Sequence, residues 1–301
     1  MDKLNAIASF VQIVEGGSLT AAAEAMNKSL PSVVRTLAML EDSLQVRLLN
    51  RTTRRISLTD EGQTYLQHCR KILADVEDAE QSLSASQVEP AGSLTITAPV
   101  LFGQMHVAPL IAEFLEHHPQ VEVDILLLDR VANLVEEGID VGFRIARLED
   151  SSMYATQVGA MRRVVCAAPE LLQKTGVPEH PNALSEFPCV RISGPVFGDD
   201  WNFYGNGKKF TVPVSGRLRC NQIAAAVDAC ARGIGFGLYF GYQAAPLIAE
   251  GKLQVVLADF EPPQTPVSLI YPHAKLIATR TRVFLDWMAP RLRAALDQIK
   301  L

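Results

Sequence analysis

Leu4, Ile7, Phe10, Val11 and Val14 recur at steps of three and four, which lines one face of an α-helix, and Gly16-Gly17 ends the run. Ser18 is placed to cap a second short helix through LTAAAEAMN, whose small side chains allow close packing against a neighbour. Ser29 is a further cap candidate. Pro31 lies in the first turn after it, where a missing N–H costs nothing. Val33, Leu37, Leu40 and Leu44 then set the buried face of a third helix. At about 100° per residue, Pro31, Ser32, Arg35 and Met39 fall on the opposite side, with Val34 and Thr36 on the flanks.

Next come two short apolar pieces, Leu48-Leu49 and Ile56–Leu58, around a polar tip of Arg51, Thr52, Thr53, Arg54 and Arg55. This predicts a β-wing whose cations and hydroxyls suit phosphates. Thr59 caps a long helix with Asp60 and Glu61 in its first turn, where the dipole favours acids. Along that helix Tyr65, Cys69, Ile72, Val76, Ala79 and Leu83 alternate steps of four and three. Such a seam wants a partner helix and suggests a dimer, the alternative being packing on the chain's own body.

In QVEPAGSLTITAP a proline and a glycine precede a strand, so a boundary is expected near residue 90. Beyond it, strands are expected at LTITA, VEVDILLL, VGFRI, RVVCAA, CVRIS, TVPVSGRLRC, FGLYF, LQVVL and VSLIY. Helices are expected at 104–117, 131–137, 222–232, 242–250 and 279–299. Alternating strands and helices mean an α/β fold with largely parallel sheets.

Charge changes the picture. A net charge of −5 over 301 residues argues, taken alone, against a nucleic-acid partner. Between residues 28 and 58, however, six basic groups face two acidic ones, whereas 75–89 holds five acids and no base. A basic patch on an acidic body fits a small DNA-reading module, and equally a solvated charged face. Two short helices joined by a turn, the second bearing Ser and Arg outward, form the helix-turn-helix arrangement, although an outward arginine also suits a plain surface helix.

Other chemistry is thin. Cys69, Cys166, Cys189, Cys220 and Cys230 are odd in number and scattered, which favours reduced thiols in the cytoplasm. The charges at Asp2 and Lys3 argue against a signal peptide, and the most apolar later stretch contains Asp228 and Arg232, so no membrane span is expected. The histidines lack metal-ligand pairing, and GIGFGLYFG lacks the spacing of a dinucleotide fingerprint. No nucleophile elbow or phosphate-binding Gly-Lys-Ser/Thr appears. No enzyme, cofactor or metal site is therefore expected. A solute-binding protein feeding a transporter and an α/β enzyme are the rival readings.

GSLTAAAEAMNKSLPSVVRTLAMLE, VRLLNRTTRRISLTDEG and the long helix after them resemble, without gaps over about the first ninety residues, the N-terminal region of LysR-type transcriptional regulators. SLTITAPVLFG, LVEEGIDVGFRIARLEDSSM, RVVCAAPELL, CNQIAAAVDACARGIGFGL and GKLQVVL resemble that family's two-lobed, periplasmic-binding-protein-like (type 2) effector domain. The resemblance implies a winged helix-turn-helix at 1–60, a dimerising linker helix at 61–90 and an effector-binding domain at 91–301. Lobe one would be 91–163 plus 267–301 and lobe two 164–266, joined by two crossing strands.

By the same resemblance, Ser29, Leu30, Pro31, Ser32, Val34, Arg35 and Thr36 would meet the major groove of double-stranded DNA. Arg51, Thr52, Thr53, Arg54 and Arg55 would sit on its backbone. The family often has glutamine where Leu30 stands and usually serine where Val34 stands. Either apolar residue could pack on a thymine methyl, or Val34 against the second helix. A small-molecule effector, with an anionic one favoured by helix N-termini, would lie between lobes near Pro99, Val100, Leu101, Arg144, Ser193, Asn221 and Gln222. Arg144 would bind a carboxylate of the ligand, or else pair with Asp140 or Glu149. The expected protein is a dimer of dimers on DNA sites with dyad symmetry, its DNA binding or bending modulated by the effector.

Overall fold

The computed structural model describes residues 2–51, 56–82, 89–148, 153–194, 198–272 and 277–299. Contacts divide the chain into two units, Met1–Glu89 and Pro90–Leu301. The first contains α1 (Lys3–Glu15), α2 (Leu19–Ala25), α3 (Leu30–Leu44), β1 (Leu49–Arg51), β2 (Ile56–Leu58) and α4 (Asp60–Ser82). Ser18 caps α2 by accepting the Ala21 N–H at 3.0 Å, and Thr59 Oγ1 accepts the Gly62 N–H at 2.9 Å. Gly62 has no alternative: a Cβ there would stand 2.0 Å from the Leu48 carbonyl oxygen. Ile7, Phe10, Val33, Leu37 and Leu40 are buried in one core, while Leu4 at its edge is exposed.

The proposed seam of α4 divides. Tyr65 packs on the Phe10 ring at 5.8 Å, and Leu66 and Cys69 are buried in the core of their own unit. Arg70 pairs with Glu15 of α1 at 3.1 Å. Tyr65 and Cys69 therefore serve intramolecular packing, and the expectation that they face a partner helix is corrected. Ile72 is 39% exposed and Val76 half-buried; the side chain of Ala79, and Leu83, lie outside the described residues.

In the second unit, β3 (Gly92–Ala98) leads into α5 (Val100–Phe102), a π-helical turn at Gly103–Val107 and α6 (Ala108–His117). Then follow β4 (Val121–Leu127), β5 (Val141–Ile145), β6 (Met153–Met161) and β7 (Arg163–Ala167). Next are α7 (Pro169–Thr175), β8 (Pro188–Ile192), β9 (Asp200–Gly205), β10 (Lys208–Pro213) and β11 (Ser215–Cys220). The chain closes with α8 (Ile223–Ala231), β12 (Gly237–Phe240), α9 (Gly241–Ala249), β13 (Gln254–Val256), β14 (Thr265–Pro272) and α10 (Thr279–Asp297).

One sheet has the order β4-β3-β5-β14-β6, with β3 parallel to β4 and β5, and β14 antiparallel to β5 and β6. A second has the order β12-β7-β13, all antiparallel; β8 pairs with β11 in parallel, and β9 with β10 as a hairpin. The sheets are thus mixed rather than largely parallel. The returning strand β14 and the hairpin need no crossover helix, so antiparallel pairing is open to them. Along β7, Val164 and Cys166 enter one core while Val165 and Ala167 enter another, the period-two alternation of a strand covered on both faces. Gly216 lets β11 approach β8, since a Cβ there would lie 1.8 Å from the Cys189 carbonyl oxygen.

The helix expected at 131–137 is instead a single turn. Asn133 Oδ1 accepts the Val135 N–H at 3.2 Å, and Gly138 ends the turn at φ 67°. Val131 and Val135 are exposed, while Ala132 and Leu134 are buried against Ile139 and Ile270.

Candidate nucleic-acid interface and ligand cleft

In the first unit, α3 turns Val33, Thr36, Leu37 and Leu40 inward. Ser29, Leu30, Pro31, Ser32 and Arg35 are exposed, and Val34 is half-buried. Thr36 is corrected from flank to interior: its hydroxyl donates to the Ser32 carbonyl at 2.9 Å. Ser29 stands at the cap position of α3 but makes no side-chain capping bond, so its hydroxyl is left facing outward at the helix start. Pro31 contributes no N–H. Lys28 donates to Asn5 Oδ1, and Glu41 Oε1 accepts the Leu48 and Leu49 N–H groups at 2.8 and 3.2 Å, anchoring the entry to β1. β1 and β2 pair antiparallel from Leu49–Leu58 to Arg51–Ile56. The Arg51 side chain and Thr52, Thr53, Arg54 and Arg55 lie outside the described residues.

In the second unit, β3, β4 and β5 end side by side, and a ligand at such an edge would meet the groups that follow them. Pro99 caps α5, but the Val100 N–H already donates to Asp129 Oδ1 at 3.0 Å. A carboxylate of the protein therefore takes the first N–H of α5. The other oxygen, Asp129 Oδ2, is buried without a hydrogen-bond partner among the described residues, as is His106 Nε2. Tyr242, at the start of α9, reaches into the large core and stands edge-on to Phe102 at 5.4 Å and His106 at 5.5 Å. Its hydroxyl accepts from Gln243 Nε2 at 3.0 Å. Burial, and to a lesser degree the charge of Asp129, push that phenol above its ordinary value. Burial lowers the pKa of His106. Neither Asp129 nor Tyr242 carries a local motif; both reach this place through the tertiary fold.

The remaining expected residues are dispersed. Leu101 touches the cores on both sides. Arg144 Nη2 donates to the Ala132 carbonyl at 2.8 Å, while Asp140 Oδ2 accepts the Thr95 N–H at 2.9 Å. The carboxylate charge that acts on Arg144 is that of Glu137, and Glu149 lies outside the described residues. Ser193 and Asn221 follow β8 and β11 and are brought together by the Ser193 N–H donating to the Cys220 carbonyl at 2.8 Å. Gln222 caps α8 without a side-chain bond and is exposed.

A cavity of about 120 Å³ lies nearby, lined by Arg163, Ile192, Asp200, Trp201, Asn202 and Leu238 among others. It includes none of the expected effector residues and is smaller than the ~300 Å³ at which drug-sized ligand pockets begin. Arg163 lies over the Phe240 ring at 5.4 Å. Arg162, between β6 and β7, makes two bonds to Glu261, of 2.9 and 2.8 Å, which tie together the two connections between the sheets. Cys166 and Cys230 are buried, and burial raises both thiols, so they remain protonated core residues.

A family model for the bacterial regulatory helix-turn-helix protein, lysR family, matches residues 4–63, and one for the LysR substrate binding domain matches residues 87–293. The chain belongs to the LysR family of transcriptional regulators. It is 32% identical over 293 residues to an HTH-type transcriptional repressor of Pseudomonas aeruginosa (strain UCBPP-PA14), covering 96% of this chain and 92% of that one. It is 32% identical over 286 residues to the HTH-type transcriptional activator AaeR of Escherichia coli (strain K12), covering 95% and 93%. The solved structure of CrgA, a LysR-type regulator from Neisseria meningitidis, aligns with a TM-score of 0.62 at 31% identity, covering 96% and 98%. As a LysR-type regulator, the protein combines an N-terminal helix-turn-helix with a substrate-binding domain of mixed α/β sheets.

Proposed function

We propose that this LysR-type regulator reads operator DNA through the exposed face of α3 and responds to a small molecule held in its second unit. The observation that carries the reading is the state of that face: Ser29 without a capping bond, with Ser32 and Arg35 exposed beside it, over a buried apolar core. Hydroxyl and guanidinium groups at the start of a recognition helix are what base edges and phosphates require. Arg51, Thr52, Thr53, Arg54 and Arg55 act as the wing on the backbone. Residues 1–60 form the DNA-binding domain, 61–90 the dimerising linker and 91–301 the effector domain, with lobes at 91–163 plus 267–301 and at 164–266.

The active species is a cytoplasmic dimer of dimers on sites of dyad symmetry, without catalytic activity. The effector enters between the lobes near Leu101, Ser193, Asn221 and Gln222. Binding favours one lobe arrangement and thereby shifts DNA affinity or bending.

The test is fluorescence anisotropy on duplexes selected from a random pool. Arg35→Ala is expected to cost about 1–3 kcal/mol on the selected site and to relax preference at one position. A loss uniform across sequences makes Arg35 a phosphate contact, and a wild-type chain that selects no DNA refutes the reading.

A further inference from the structure

We propose that the flank of α3 formed by Leu30 and Val34 recognises thymine by its 5-methyl group. The inference rests on the reading that α3 enters the major groove. Leu30 is the first residue of α3 and 41% exposed; Val34, half-buried, lies four residues on and so on the same flank. Exposed Pro31 lies between them in sequence and widens the apolar surface.

The polar groups of the same two turns are few and lie elsewhere. Ser29, Ser32 and Arg35 are exposed, whereas Thr36 is buried with its hydroxyl bonded to the Ser32 carbonyl. One exposed leucine on a surface helix needs no explanation. An apolar strip at the end of a recognition helix that meets base edges is different, because whatever it covers loses water there. The major groove presents one apolar group, the thymine methyl. Cytosine offers an amino donor that neither Leu30 nor Val34 can accept, so that donor would be left unpaired. Exposed Arg35 and Arg47 supply the positive charge that holds the helix against the duplex.

The experiment uses the full chain and duplexes selected from a random pool, resynthesised with deoxyuridine for thymidine, first throughout and then one position at a time. Uracil differs from thymine only in lacking the methyl. Wild type should bind about fourfold more weakly for each contacted methyl removed. In Leu30→Gln, and separately in Val34→Ser, the ratio between the two duplexes should fall towards one, with the thermal midpoint recorded for each variant. Equal binding of both duplexes by wild type overturns the proposal while leaving DNA binding intact. A ratio retained in both variants overturns it too, because the methyl would then act through duplex shape. Failure to select any DNA overturns it together with the reading of α3.

Discussion

The first turns of α3 and α5 both follow an extended residue and both carry a proline at the entrance, yet their surroundings are opposite. At α3, Ser29 makes no capping bond, and the residues around it are exposed. At α5, the Val100 N–H is taken by Asp129, and Tyr242 packs on Phe102 and His106 just beyond. A helix start is an anion site only while its N–H groups are unengaged. The tertiary fold brings a carboxylate onto the first N–H of α5, whereas at α3 no side chain caps the helix and the Ser32 N–H donates to the Ser29 carbonyl at 2.9 Å.

The contrast can be broken from its strongest side first. Tyr242→Ala removes a buried ring from the closed site and should cost about 3–5 kcal/mol in urea unfolding of the full chain. A loss under about 1 kcal/mol would mean that the ring is not held in the core. Asp129→Ala leaves the Val100 N–H without its acceptor and should cost about 1–3 kcal/mol. Asp129→Asn keeps one carbonyl acceptor and should cost less. Equal losses for the two would show that the bond to Val100 contributes nothing.

The open site sharpens the comparison through two serines. Ser18→Ala deletes a capping bond and should cost about 1 kcal/mol, whereas Ser29→Ala should stay within about 0.5 kcal/mol in stability while weakening DNA binding. A comparable stability loss at both would show that Ser29 caps after all.

The smallest effect is the pH dependence of the closed site. His106 has a folded-state pKa below its ordinary 6.5 because burial disfavours its charged form. The unfolded chain then binds the proton more tightly, so stability is full above about 6.5 and is lost as pH falls from there through the folded pKa. Replacing His106 with Gln should flatten the thermal midpoint between pH 7.5 and about 5 relative to wild type. An unchanged slope would assign the pH dependence to other groups.

What could be read in advance followed the range of the interaction. The α3 face was legible because Val33, Leu37 and Leu40 are set by one helix period, and the Ser18 and Thr59 caps because their partners lie three residues away. Asp129 was not, since its bond to Val100 spans 29 residues, across α6 and β4. Strand β6 escaped because its register against β14 shifts between Val267 and Ser268, which breaks the alternation of side chains at Gln157–Gly159. The β9–β10 hairpin has a readable signal: Asn206-Gly207, both with positive φ, is a favoured two-residue turn. In α4 a heptad spacing suits a partner helix and the chain's own body alike, and its first part packs on α1. Periodicity identifies a buried face and does not identify what buries it.

That division of α4 has a mechanical consequence. Its 23 residues make a rod of about 34 Å, and Tyr65, Leu66 and Cys69 fasten its N-terminal part into the same block as α3. A second helix can therefore grip only the part beyond Cys69. On the reading proposed above, the fastened part then works as a lever that carries rotation at the grip to α3.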